Sequence, residues 1–183
     1  AYLMCRQQDV VGAIAFDDDI RFHLPPGSTP AHLDRLFKRL EDTEPGHRTQ
    51  VAGVFHQLAE TIAKRGLVVV VTDLYDEPSE VMKALQHFVY RRHQVILFHL
   101  MDPAELDFPF KKIHTFVDLE TQDRLQVDPR YVREAYLEEV RAFTEFYRKE
   151  CSDRNIEYSL VRTDTPYDQM LLTYLAKRKA LTR

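Results

Sequence analysis

Gly66-Leu67-Val68-Val69-Val70-Val71-Thr72-Asp73-Leu74-Tyr75-Asp76 is an apolar run that ends in an acidic, hydroxyl-bearing tip, with Pro78 just beyond it. The run has no polar alternation, so as a strand it must be covered on both faces, the mark of an interior strand of a parallel sheet. Ligands of such sheets collect beyond the carboxyl ends of the strands, where Thr72, Asp73 and Asp76 fall. This stretch predicts a doubly wound, mostly parallel α/β sheet and makes its own tip the first place to look for function.

The flanking sequence supplies the rest of the sheet. Val10–Phe16 reads as a second buried strand, and Ile20–Leu24 alternates apolar with polar residues as an antiparallel edge strand does. Asp17-Asp18-Asp19 is the turn between them, a use for which aspartates are suited by their side-chain bonds to backbone. Pro25-Pro26-Gly27 breaks the second strand. Ser28 or Thr29 then caps a helix with Pro30 in its first turn and a stripe of Leu33, Leu36, Phe37 and Leu40. After a loop at 44–49, Val51, Val54, Phe55, Leu58 and Ile62 recur at helical spacing up to Gly66.

Beyond the central run, Glu77-Pro78 opens a helix whose inward side is Val81, Leu85, Phe88 and Val89, and Val95–Leu100 is another buried strand ending at Met101-Asp102-Pro103. Ile113–Val117 and Arg124–Val127 form a small peripheral hairpin. Asp128-Pro129 caps a long helix to about Cys151, Ile156–Val161 is a strand whose alternation predicts an edge, and Thr165-Pro166 opens the last helix. Successive helix–strand pairs make right-handed crossovers. One domain over 1–183 is expected, with Ala1–Arg6 reading as the last turns of a helix and hence an N-terminally incomplete unit.

The composition bounds the function. At 183 residues, 44% hydrophobic and a formal net charge of −4, the chain has ample core and an overall field that does not attract nucleic acid. Its one dense basic stretch, Lys177-Arg178-Lys179 with Arg183, sits at a helix end, where cations complement the dipole. Cys5 and Cys151 stand far apart and outside any C-x-x-C spacing, so neither a disulfide framework nor a zinc site is indicated and a cytoplasmic location is expected. No apolar stretch reaches the roughly 18 residues of a membrane span, and no signal peptide opens the sequence.

Several chemistries are excluded by spacing. Among four serines and five glycines there is no G-x-S-x-G elbow, no G-x-x-x-x-G-K-[ST] loop and no G-x-G-x-x-G turn. The eight histidines contain neither H-E-x-x-H nor H-x-H, and His93 and His99 fall where ordinary packing uses them. What remains are carboxylates at strand ends, Asp73, Asp102 and Asp164, with Glu105 close to Asp102 and Asp17 at the hairpin. Such oxygen-rich rims suit Mg²⁺, while acids after strands also serve as helix caps.

Leu67–Asp76, His93-Gln94-Val95, Met101-Asp102-Pro103-Ala104-Glu105-Leu106, Asp9-Val10-Val11-Gly12 with Phe16, Asp118-Leu119-Glu120-Thr121 and Thr165-Pro166 with Tyr174-Leu175 together resemble a known family. It is the von Willebrand factor A-like family numbered fifty-eight among domains of unknown function. Related A domains hold Mg²⁺ at a metal-ion-dependent adhesion site through D-x-S-x-S after the first strand, a threonine and a later aspartate. The resemblance implies Thr49 and Asp73 as the last two, with Asp102 a further possible ligand. D-x-S-x-S itself is absent, so the site is an incomplete remnant and Mg²⁺ binding is expected to be weak. The resemblance also implies a non-enzymatic protein–protein interaction module, an adaptor or chaperone-like partner of a MoxR-type AAA+ ATPase. The alternative is a metal-dependent hydrolase or phosphotransferase using Asp73, Asp102 and Glu105. In the A-domain order the absent first strand lies between Val10–Phe16 and Leu67–Thr72. The expectation is therefore that these two strands pair directly or take a strand from elsewhere, including homo-oligomerisation by strand exchange.

Overall fold

The computed structural model of the chain describes residues 1–17, 19–44, 51–62, 64–118 and 122–181. Its centre is β4 (Gln94–Met101), flanked in parallel by β3 (Leu67–Thr72) and β7 (Glu157–Arg162) in the order β3-β4-β7. The register pairs Val69 with Ile96, Val71 with Phe98, and Phe98 with Ser159. Val95–His99 are buried on both faces, so β4 holds the interior position that the sequence assigned to the valine run.

One face of this sheet carries helices α3 (Val51–Thr61), α4 (Pro78–Tyr90) and α6 (Pro129–Asp153); Val54, Phe55, Leu58, Val81, Leu85, Phe88 and Tyr147 close over Val70, Val95 and Leu97. The other face is covered by α7 (Tyr167–Leu181), whose Met170 and Tyr174 pack on Ile96, Phe98 and Val161. The fold is thus α/β and doubly wound. Its helices begin on the signals legible in the sequence: Asp128 and Asp102 cap α6 and the short α5 (Pro103–Asp107), and in both the following proline takes the first helical position.

The amino-terminal part forms its own layer. After α1 (Tyr2–Arg6), β1 (Val11–Phe16) and β2 (Ile20–Gly27) pair antiparallel as a separate two-stranded sheet, with α2 (Pro30–Glu41) beside it. The expected break at Pro25-Pro26-Gly27 does not occur. β2 runs through both prolines, and a register shift between Val11 and Ala13 absorbs the irregularity, since proline lacks the ladder donor and is tolerated at edges and bulges. Thr29 caps α2 by accepting from the His32 amide at 3.1 Å. Of its expected stripe only Leu36 is fully buried, because a two-stranded hairpin is too narrow to cover Phe37 and Leu40. A second hairpin, β5 (His114–Val117) with β6 (Arg124–Val127), lies at the periphery as expected.

The main correction concerns β3. It is an edge strand, not an interior one, and β1 does not join it: neither direct pairing of the two strands nor a common sheet is present. β4 occupies one flank of β3, with the Gln94 amide donating to the Gly66 carbonyl at 3.0 Å. By the alternation of a strand, the peptide groups of Leu67, Val69 and Val71 therefore point to the free flank. Their side chains share one face and are 39%, 49% and 56% exposed. Sequence pattern reports what a strand is suited to bury; it does not supply the neighbour that buries it.

The two sheets still meet through aromatic rings. Phe16 of β1 stands edge-on to Phe55 of α3 at 5.3 Å between centroids, and Phe55 to Phe88 of α4 at 6.1 Å. Phe55 is 1% exposed. Its replacement by alanine is expected to destabilise the protein by about 3–5 kcal/mol, measured by urea denaturation, because it empties the point where hairpin and sheet share one core.

Candidate functional site

The carboxyl ends of β3 and β4 were the sequence-based candidates, and the backbone there is unusual. Thr72, buried at the end of β3, accepts from the Leu74 amide through its hydroxyl at 3.1 Å. Leu74 adopts a left-handed backbone (φ 60°) while its side chain is wholly buried, a costly conformation for a branched residue. With Leu74 turned inward, Asp73 and Tyr75 project outward; Tyr75 is 83% exposed, and an Asp73 oxygen takes the Tyr75 amide at 3.3 Å. No signal in the sequence marks this strained turn.

Asp102 and Glu105 form a reciprocal cap. Asp102 accepts from the Ala104 amide at 2.8 Å, Glu105 accepts from the Asp102 amide at 2.9 Å, and the second Asp102 oxygen takes the Thr163 hydroxyl at 3.2 Å. Asp164 pairs with Arg162, which also binds Asp107 at 3.1 Å, and the guanidinium holds the Asp164 carboxyl below the usual carboxylate range. Asp17 at the β1–β2 turn is buried and pairs with Arg21. Thr49 lies outside the described residues. Among the described residues no three metal-ligating groups come together.

Beneath the rim is a buried polar centre. His99 is fully enclosed by Phe143, Tyr147 and Tyr158, and its Nδ1 lies 2.8 Å from the Tyr158 hydroxyl. Its Nε2 and the Tyr147 hydroxyl make no hydrogen bond among the described residues. Burial lowers the His99 pKa to about 4, with the neighbouring Asp73 main chain and charge acting in the opposite sense. The same desolvation raises the Tyr147 and Tyr158 hydroxyls and pushes the Cys151 thiol up to about 12. Both cysteines are free, and Cys151 is wholly buried. His93 is likewise a core residue, taking the Gly66 amide on Nδ1 at 3.2 Å and meeting Phe88 edge-on.

The shallow cleft nearest the rim is bordered by Glu77, Pro78, Ser79, Glu139, Phe143 and Phe146. It brings no nucleophile into contact with a base. Chemically the rim offers exposed acids and an exposed tyrosine on a strained turn.

A parallel sheet with helices on both faces and acids at its carboxyl ends defines a doubly wound α/β domain. The chain belongs to the family described as "Protein of unknown function DUF58", whose model matches residues 1–145. Two solved structures share the fold. One is BatB from Bacteroides thetaiotaomicron, at 15% identity and a TM-score of 0.54, covering 100% of this chain and 86% of that one. The other is an aerotolerance-related membrane protein from Bacteroides fragilis, at 18% identity and a TM-score of 0.50, covering 86% and 73%. No curated protein matches the chain. Among the described residues no helix is long and apolar enough to cross a membrane.

The depressed His99 pKa fixes a pH dependence. In the unfolded chain the imidazole protonates near its ordinary value of 6.5, and in the folded chain only near about 4. Between these values the unfolded state holds the extra proton, so stability is present above pH 6.5 and is lost as pH falls towards 4. The expected loss is about 3 kcal/mol over that window. His99→Phe should show a flatter acid limb in denaturation curves measured across it.

Proposed function

We propose that this chain is a non-enzymatic protein–protein interaction module. The observation that carries the reading is the free flank of β3. The main-chain groups of Leu67, Val69 and Val71 form no hydrogen bond there among the described residues, and the flank has no proline, lysine or bulge, the devices that keep natural edges from pairing. An edge of this kind is satisfied by an added strand, with main-chain bonds giving affinity and alternate side chains giving selectivity. The strand comes from another polypeptide or from a second copy by strand exchange. The family resemblance adds a partner class, a MoxR-type AAA+ ATPase in a chaperone-like role, and the two free cysteines, far apart in sequence, fit a cytoplasmic setting. Against the hydrolase alternative stands the use of Asp102 and Glu105 as a helix cap.

Val69→Lys is the direct test, since Val69 is half-exposed and its replacement leaves the core intact. The unsubstituted chain should associate with rising concentration in light scattering, and the lysine variant should stay monomeric with an unchanged unfolding midpoint. A wild-type chain that remains monomeric, with the Val69 amide exchanging freely, would falsify the reading.

The remnant metal site belongs to the same proposal: with D-x-S-x-S absent, Thr49 and Asp73, even with Asp102, are too few ligands to hold Mg²⁺ durably. Calorimetric titration should show no saturable binding at micromolar Mg²⁺. Saturable binding that disappears in Asp73→Ala would restore a metal-dependent role.

A further inference from the structure

The end of the sheet opposite the acidic rim gathers cations from three segments far apart in sequence. The Gly66 amide bonds His93, the Gln94 amide bonds the Gly66 carbonyl, and Arg178 of α7 reaches the Gln94 side chain at 2.9 Å. These contacts place Lys64-Arg65, Arg91-Arg92 and Arg178 around one end. Lys64, Arg65, Arg91 and Arg92 are exposed and form no ion pair among the described residues. The acids at this end include Glu157, already engaged by Gln94 and Tyr174, and the exposed Asp153 and Glu60, the latter in the last turn of α3. Arg154 pairs with Glu150.

Helix-end electrostatics accounts for part of this set, since Arg91 is the C-cap of α4, where a cation complements the dipole. Lys64 and Arg65 lie three and four residues beyond the end of α3 at Thr61, outside the last turn in which the dipole acts, and Arg92 follows the α4 cap in a left-handed conformation (φ 64°). Tyr90, 72% exposed, stands beside Arg91. Cations next to an exposed amphipathic aromatic are the composition of a membrane–water interface. The cleft between the start of α4 and α6 is lined by none of these cations.

We propose that this end of the sheet docks on an anionic phospholipid surface. The net charge of −4 does not oppose it. The exposed acids Asp73, Glu77, Asp102, Glu105 and Asp164 sit beyond the other end of strands about 20 Å long, more than two screening lengths away at physiological salt. The surface feels the cations and not the rim.

The test uses the 183-residue chain and sedimentation with vesicles of phosphatidylcholine alone or phosphatidylcholine containing phosphatidylglycerol. The chain should sediment with the anionic vesicles only, less so as salt is raised. Arg91→Gln with Arg92→Gln should weaken partitioning by about thirtyfold. Lys64→Gln with Arg65→Gln should act in the same direction, while Lys83→Gln, in mid-helix and paired with Glu80, should leave it unchanged. Equal sedimentation with neutral vesicles, or full retention by both double variants, overturns the proposal. So does binding to soluble polyglutamate with none to vesicles, which would assign the patch to an acidic protein.

Discussion

The structure depends on the burial of one strand. β4 is enclosed on both faces and bonded along both edges, and the layers of the main sheet are positioned by it: β3 and β7 as its neighbours, α4 and α6 over one face, α7 over the other. Fully burying residues such as Val95, Ile96 and Leu97 contributes roughly 1.5–3 kcal/mol each, so a few positions on this strand match the whole margin by which a domain is stable. Removing any covering helix would expose this strand directly.

Much of that arrangement is legible in the sequence because the signals are local. Asp-Pro at 102–103 and 128–129 marks helix starts, the 3.6-residue spacing of Val81, Leu85 and Phe88 marks an inward face, and the alternation of Ile156–Val161 marks the edge that β7 is. What failed to show is relational. Val68–Val71 and Ile96–Phe98 look equally interior, yet one lies at an edge and the other at the centre, and no local pattern ranks two apolar runs by position in a sheet.

The site follows the same division. Asp102 and Glu105 could be read as cap or catalytic pair from four adjacent letters, and the geometry of the cap needs no distant residue. The His99–Tyr158 contact spans 59 positions and joins a strand to its neighbour, while the left-handed Leu74 sits in the tip beyond the strand, where no glycine or asparagine marks a positive φ. Thr49 lies outside the described residues, so its relation to Asp73 is not part of this geometry.

Cys151 has a kinetic consequence. Its sulfur is sealed in the core with Tyr147 and Ile156, and its thiol is held protonated by burial up to about pH 12. A thiolate-seeking reagent can reach it only during an opening of the helical layer, whereas Cys5, half-exposed near the start of the chain, is open to reaction in the folded state. The slower of the two alkylation phases is thus an internal clock for opening of the principal core, ticking at the rate at which α6 lifts from β4.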